Sequence, residues 1–303
     1  MISIKDVSKK FSNGVLSLDK ISFEVKKGSV LGLIGTNGAG KSTLLRIISG
    51  ILREDEGEVL VNGEKIFENS RIKSKISFVS DEGYLLNNFT LDSMADMYAS
   101  MRENFSREIF TTLTSRMNLD TKRRINTFSK GMKRQGEVIL ALSSGTEYLF
   151  FDETFDGLDP IARESARKMI AEAVADLGST VILSSHNLSE IENICDSVAL
   201  LDRGRLLFHK GVSEAVENCR KYQVVLDREI DASPLAQSVT ALNQSGKLLT
   251  FVASLDENGV LSTLSSLYPD AKVIYTECVA LTLEEIFTLE VKKAQAEGRI
   301  VND

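Results

Sequence analysis

Gly35-Thr36-Asn37-Gly38-Ala39-Gly40-Lys41-Ser42-Thr43 is the stretch that decides the fold. It has the form G-x-x-x-x-G-K-[ST], with Gly35, Gly40, Lys41 and Ser42 on the defining positions. That spacing builds a nucleoside triphosphate site largely out of backbone, because the glycines let successive N–H groups turn inward around the phosphates. Lys41 is placed to reach the β- and γ-phosphates as a point charge, and the Ser42 hydroxyl to ligate Mg2+. Ahead of the loop, Ser29-Val30-Leu31-Gly32-Leu33-Ile34 reads as a short strand buried in a parallel sheet. Behind it, Leu44, Leu45, Ile47 and Ile48 recur at helical spacing, so the phosphates would rest on a helix N-terminus, where the dipole and the unpaired N–H groups favour anions.

The chain has 303 residues and a net charge of −7. That length suits two domains of about 100–200 residues each. The acidic balance argues against nucleic acid as a partner and against a polybasic membrane anchor. Cys195, Cys219 and Cys278 are odd in number, far apart and without a Cys or His at metal spacing, which fits a reduced, cytosolic setting. The N-terminus has no apolar stretch of signal-peptide type, and no window approaches the ~18–20 apolar residues that span a bilayer. Any membrane component is therefore expected from another chain.

Outward from the loop, Ile2–Ile4, Ile21–Val25 and Glu58–Val61 read as strands, the last entering a tight turn at Asn62-Gly63. From about Thr90 to Leu142 the pattern becomes largely helical. Apolar strands return at Tyr148–Phe151, Thr180–Leu183 and Ser197–Leu201. Between the first two of these lies an amphipathic helix with Ala162, Ala166, Met169, Ile170, Ala173, Val174 and Leu177 on one stripe. Asp159 and Pro160 suit its N-cap and first position, and Gly178 its end. Alternating strands and helices around such a loop predict a mostly parallel α/β sheet. Residues 216–303 read as a separate small α+β unit, with strands at Tyr222–Leu226, Leu248–Ala253 and Lys272–Tyr275 and a terminal helix from near Leu283; the sequence offers no chemistry there.

Tyr148-Leu149-Phe150-Phe151 runs into Asp152-Glu153, two carboxylates at the end of a buried strand. Beside a phosphate loop, Asp152 can hold the Mg2+ shell and Glu153 can orient or polarise the attacking water; a solvated acidic turn is the bland alternative. His186 follows the strand Thr180–Ser185, which should neighbour the one carrying Asp152, so it could reach the γ-phosphate. His209 has no such setting.

In this order these residues resemble the ATP-binding subunit of an ABC transporter, over roughly residues 2–215, and of the bacterial exporter type in particular. The distinctive marker is Phe128-Ser129-Lys130-Gly131-Met132, which is similar to the L-S-G-G-Q signature of that family. The resemblance implies a P-loop ATPase domain over residues 1–215, with an N-terminal antiparallel β subdomain and an inserted helical subdomain at about 88–142. It implies that two such subunits, identical or mixed, pair head to tail, with Ser129 and Gly131 completing the γ-phosphate site of the opposite one. It also implies that Phe11 stacks on adenine, that ATP and Mg2+ are bound by residues 35–43 together with Asp152, and that Lys41, Glu153 and His186 act on ATP. The partner it implies is a membrane-spanning permease, on which the chain would sit at the cytoplasmic face of the cell membrane.

Several positions depart from that pattern. Asp81, followed by Glu82, stands where the family usually has Gln; it can still bind Mg2+, yet it is shorter and cannot donate a hydrogen bond when ionised. Lys130 and Met132 replace Gly and Gln, and Thr154-Phe155-Asp156 precedes Gly157-Leu158-Asp159 where Pro-Thr-Ser is common. Asp159 reads equally as a helix N-cap and as part of a loop crossing the dimer interface. The apolar residues Tyr84, Leu85, Leu86 and Phe89 read equally as a permease-facing surface and as core. A regulatory or assembly ATPase of the ABC class without a transporter is the alternative reading.

Overall fold

The computed structural model describes residues 1–187, 194–212, 220–279 and 281–296, and the chain falls into two units, Met1–His209 and Lys210–Asp303. In chain order the first unit contains β1 (Ile2–Lys10), β2 (Leu16–Val25), β3 (Val30–Ile34), α1 (Lys41–Ile48), β4 (Glu56–Val61), β5 (Glu64–Lys65), α2 (Ser70–Lys73) and β6 (Ile76–Val79). There follow α3 (Leu91–Met101), α4 (Arg107–Arg116), α5 (Lys130–Ser143), β7 (Tyr148–Asp152), α6 (Pro160–Leu177), β8 (Thr180–Ser185), β9 (Ser197–Asp202) and β10 (Arg205–Gly211), the last crossing the division.

Two sheets form. One is four-stranded in the order β2-β1-β4-β5, with antiparallel neighbours. Its β4–β5 hairpin turns at Asn62 and Gly63, both at positive φ (52° and 82°), the geometry an Asn-Gly turn supplies. The other is six-stranded in the order β10-β9-β3-β8-β7-β6, and its β6–β7–β8–β3–β9 ladder is parallel throughout. Strands β3, β7 and β8 are buried along their whole length, which is why they read as unbroken apolar runs rather than alternating ones. One core joins both sheets through α1. Leu44, Leu45, Ile47 and Ile48 pack in a single cluster with Ile4, Leu18, Val59, Leu31, Phe150 and Ile182. Burying each such side chain contributes about 1.5–3 kcal/mol. Residues 35–40, 152–153 and 186 all follow the carboxyl ends of adjacent parallel strands, so the topology gathers them at one edge of the sheet.

Between β6 and β7, helices α3, α4 and α5 start on Thr90, Ser106 and Ser129, each hydroxyl accepting a backbone N–H of its first turn. A file of rings, Tyr84, Tyr98, Phe105 and Phe110, runs through this region with successive centroids 6.3 Å apart. Tyr84 turns inward and its hydroxyl donates to the Glu137 carbonyl, whereas Leu86 and Phe89 are exposed. Helix α6 is capped by Asp159, carries Pro160 at its first turn and ends on Gly178 in the left-handed region. Its stripe buries Ala162, Ala166, Met169, Ile170 and Ala173, but Leu177 is exposed and lines a cleft between α4 and α6. Leu177 lies on the same stripe but is the last residue of the helix, where the packing against its buried face ends.

The second unit is a four-stranded antiparallel sheet in the order β12-β13-β11-β14, with β11 (Arg220–Leu226), β12 (Thr240–Ser245), β13 (Leu248–Ala253) and β14 (Val273–Val279). Among the described residues two α-helices accompany it, α7 (Glu257–Leu267) and α8 (Leu283–Ala296). Tyr222, Val224, Leu249, Phe251, Val260 and Leu264 form its core. Of the three cysteines, Cys195 is buried, Cys278 is exposed, and Cys219 lies outside the described residues.

Candidate nucleotide site

The Gly35–Gly40 loop leaves β3 and delivers the chain into α1. At Gly40 the backbone has φ 103°, and a Cβ there would stand 2.6 Å from the Ser17 carbonyl oxygen and 2.8 Å from Leu18, so only glycine fits. Gly40 is also the N-cap of α1. It has no side chain to satisfy the leading N–H groups, and the first turn carries no carboxylate. The helix therefore opens with unspent donors, which is the requirement for holding phosphate. Thr36, Asn37 and Gly38 form the exposed crest of the loop, Ala39 is buried, and the Thr43 hydroxyl accepts from Ser17 at 2.9 Å, tying α1 to β2.

Lys41 is 5% exposed. Its Nζ donates to the carbonyls of Gly35 (2.6 Å) and Thr36 (3.2 Å) and pairs with Glu153 Oε1 at 3.1 Å. The other oxygen of that carboxylate, Oε2, meets His186 Nδ1 at 2.8 Å. Glu153 is thus bracketed between a lysine of the phosphate loop and the histidine that follows β8. Burial opposes its ionisation, but the His186 hydrogen bond and the Lys41 charge outweigh burial and hold the carboxyl below the usual carboxylate range. Its backbone lies in the left-handed region at φ 46°.

Asp152, fully buried at the end of β7, is the opposite case. Burial pushes its carboxyl up; the Ser184 hydrogen bond and the nearby Ser42 hydroxyl oppose that rise, and the like charges of Asp81 and Glu153 add to it. Its Oδ1 accepts from the Ser184 hydroxyl at 2.5 Å, while Oδ2 is buried with no hydrogen-bond partner among the described residues. A buried carboxylate oxygen without a partner, beside the Ser42 hydroxyl, fits a divalent cation. Mg2+ takes one or two protein oxygens and completes its shell with phosphate and water. Among the described residues no three His, Cys, Asp or Glu side chains gather as an all-protein metal site, which suits that donor set.

Asp81 projects from the end of β6 toward this cluster. Its Oδ1 lies 3.8 Å from Arg46 of α1 and its side chain is exposed. Its backbone is held from the other side. Arg134 donates to the carbonyls of Ser80 (2.6 Å) and Asp81 (2.7 Å) and pairs with Glu137 at 3.0 Å; both side chains are buried in α5. Glu137 Oε1 in turn accepts the Tyr84 N–H at 3.0 Å. Burial pushes the Glu137 carboxyl up, against the opposing charge of Arg134. Two charged side chains of one helix thereby fix the loop that carries Asp81.

The structure brings Gly35–Thr43, Asp152, Glu153 and His186 together, with Asp81 beside them. Phe11, 40% exposed in the turn between β1 and β2, and the Ser129–Gly131 turn make no hydrogen bond to the loop among the described residues. The Ser129 hydroxyl accepts the Met132 N–H at 3.2 Å, and a Cβ on Gly131 would lie 3.2 Å from the Gly157 carbonyl. The start of α5 therefore sits against the segment that follows Glu153. Ser184, Arg134 and Glu137 escaped the reading of the sequence. The one available signal was Ser184-Ser185, a hydroxyl pair ending an otherwise apolar buried strand.

The sequence profile of the family described as ABC transporter matches residues 18–156. The chain is 25% identical over 287 residues to the ABC transporter ATP-binding protein YtrB of Bacillus subtilis (strain 168), covering 95% of this chain and 97% of that one. It is 32% identical to the methionine import ATP-binding protein MetN of Mannheimia succiniciproducens, over 72% of this chain and 67% of that one. It is 29% identical to the bacitracin transport ATP-binding protein BcrA of Bacillus licheniformis, over 86% and 90%. Among solved structures, an ATP-binding subunit of an ABC transporter superposes with a TM-score of 0.64 at 26% identity, covering 71% of this chain and 91% of that one. A dimeric post-hydrolysis cassette bound to ADP and Pi shares the fold, with a TM-score of 0.64 at 20% identity over 70% and 99%. The chain belongs to the ABC transporter family. Within that family it is the ATP-binding, ATP-hydrolysing component; no helix among the described residues is long and apolar enough to cross a membrane.

Proposed function

We propose that this ATPase binds MgATP on the Gly35–Thr43 loop, with adenine against Phe11, and that a second copy of the chain completes the site with its Ser129 and Gly131. Closure and reopening of that pair would drive a separate membrane-spanning permease, placing the chain at the cytoplasmic face of the membrane. The observation that carries the reading is the bracketed carboxylate: Glu153, at 3.1 Å from Lys41 and 2.8 Å from His186, directly follows Asp152, whose Oδ2 has no hydrogen-bond partner among the described residues.

The chemistry follows from placement and charge. Lys41 and the leading N–H groups of α1 offset the negative charge of the phosphates. Ser42 and Asp152 would hold Mg2+, with Asp81 as a further acid beside them; when bound, the ion would neutralise β- and γ-phosphate charge. Glu153, kept ionised, accepts the proton of the attacking water, and His186 fixes the direction of the carboxylate. Because Lys41 spends its charge on Glu153 until phosphate arrives, nucleotide binding itself frees the base.

An exporter-type assembly is supported by the C-terminal unit that follows a single nucleotide unit, and by the nearly full-length match to the bacitracin transport protein, whereas the import protein aligns over 67% of its length. The test is Glu153→Gln: MgATP binding persists and steady-state hydrolysis falls about a hundredfold or more, the range for one positioned acid–base group. Unchanged turnover would remove Glu153 from the reaction.

A further inference from the structure

We propose that Ser184 is a positioning residue for hydrolysis, aiming the Asp152 carboxylate and holding the Glu153 backbone in place with a single hydroxyl. Resting on the roles given above to Asp152 and Glu153, it assigns a third residue to their arrangement. Ser184 lies on β8 directly opposite Asp152 in the parallel ladder and is 1% exposed. The preceding positions Val181, Ile182 and Leu183 are apolar, as a strand buried on both faces requires, while Ser185, the other hydroxyl at this end, donates to the Asn187 carbonyl. A hydroxyl here is not a packing choice, and both of its functions are spent. Its O–H donates to Asp152 Oδ1 at 2.5 Å, and its oxygen accepts the Glu153 N–H at 3.0 Å.

Each bond has a consequence at the reacting end of the site. Because Ser184 hydrogen-bonds Oδ1, the Asp152 carboxylate is restrained in rotation and presents Oδ2, which has no hydrogen-bond partner among the described residues, to a cation. Because Ser184 accepts the Glu153 N–H, that peptide is held where φ is 46°, a conformation a glutamate does not prefer. From there its carboxylate reaches both Lys41 and His186. Without the hydroxyl, the buried N–H and Oδ1 lose their partners together, and the chain is free to relax toward negative φ, which turns Glu153 out of its bracket.

The test compares wild type with Ser184→Ala, and with Ser184→Cys, which keeps the volume but donates weakly. Steady-state hydrolysis gives kcat, KM and the Mg2+ concentration for half-maximal rate. Titration with a fluorescent ATP analogue, with Mg2+ and in EDTA, gives affinity independently of turnover. Expected is a fall in kcat of about 10–100-fold and a comparable rise in the Mg2+ concentration for half-maximal rate, the size of effect for losing a partner behind a metal ligand, with analogue affinity in EDTA unchanged. The proposal is overturned if a folded variant keeps kcat and its Mg2+ dependence within about twofold of wild type, or if affinity in EDTA falls as much as affinity with Mg2+. Should Ser184→Ala fail to fold, Ser184→Cys carries the same expectation. Glu153→Gln run alongside separates the two claims: if it turns over normally, the role of Glu153 fails; if it is silent while the Ser184 variants are normal, only the role of Ser184 fails.

Discussion

Lys41 and Glu153 form an ion pair across the site, Nζ to Oε1 at 3.1 Å, with 5% and 17% of their side chains exposed. The residue that must meet the γ-phosphate is therefore already neutralised by the residue that must act on water. Glu153→Gln removes a competitor for Lys41 and a negative charge near the phosphates. MgATP should bind about three- to tenfold more tightly, equivalent to roughly 1 kcal/mol, measured by equilibrium titration with a fluorescent analogue. Equal or weaker binding would show that the pair does not compete with phosphate.

Asp152 carries a buried carboxylate whose Oδ2 has no hydrogen-bond partner among the described residues, next to two further acids. Such an arrangement suits a cation and costs stability without one. Asp152→Asn keeps the shape and an acceptor for Ser184 while removing the charge. The nucleotide-free variant should unfold about 2–4 °C higher at pH 7, the shift that roughly 1 kcal/mol produces in a chain of this size class, and should lose hydrolysis. A lower Tm in calorimetry would mean that the carboxylate is stabilised by something other than a metal.

Ser129 has a local task, capping α5, that hides the one proposed for it across a dimer. Ser129→Asp separates them, because Asp caps as well as Ser but points a negative charge at the partner's γ-phosphate. The variant should melt within about 1 °C of wild type, as expected when one good N-cap replaces another, and bind nucleotide normally, yet hydrolyse ATP at least about tenfold more slowly, the size of losing one favourable charge contact. Normal hydrolysis would confine Ser129 to capping.

Burial pushes the Cys195 thiol far up its range, while Cys278 is exposed on β14. In a Cys219→Ser background, a thiol reagent at pH 8 should modify Cys278 within minutes and Cys195 only after denaturation, because the thiolate is the reactive form. Equal rates under native conditions, read by mass spectrometry of peptides, would contradict the buried placement of Cys195.

Much of the nucleotide unit was legible because its chemistry is contiguous in sequence. Gly35 to Thr43 and Asp152-Glu153 are short runs in which spacing is itself the mechanism, and the unbroken apolar strands before them announce a buried parallel sheet. What was hidden is made by separate strands. The Lys41–Glu153–His186 bracket and the two hydrogen bonds of Ser184 exist only once β3, β7 and β8 lie side by side, and no local pattern encodes that register. Arg134 and Glu137 read as ordinary polar residues of a helix surface, because the loop they hold approaches from the opposite direction. In the second unit, β12 is exposed at five of its six positions and shows no alternation, and α7 buries only Val260 and Leu264 behind a run rich in serine and glycine. Both are set by the neighbours they pack on rather than by their own propensity.

The central claim is that the Gly35–Thr43 loop is half of a site that a second copy of the chain completes. It is tested most directly by sedimentation of the Glu153→Gln variant, which should bind ATP and hydrolyse it at least about a hundredfold more slowly. With saturating MgATP the account predicts a species of twice the monomer mass, reverting to monomer when Mg2+ is chelated or when Ser129→Asp is added. A monomer that persists with nucleotide bound would contradict it.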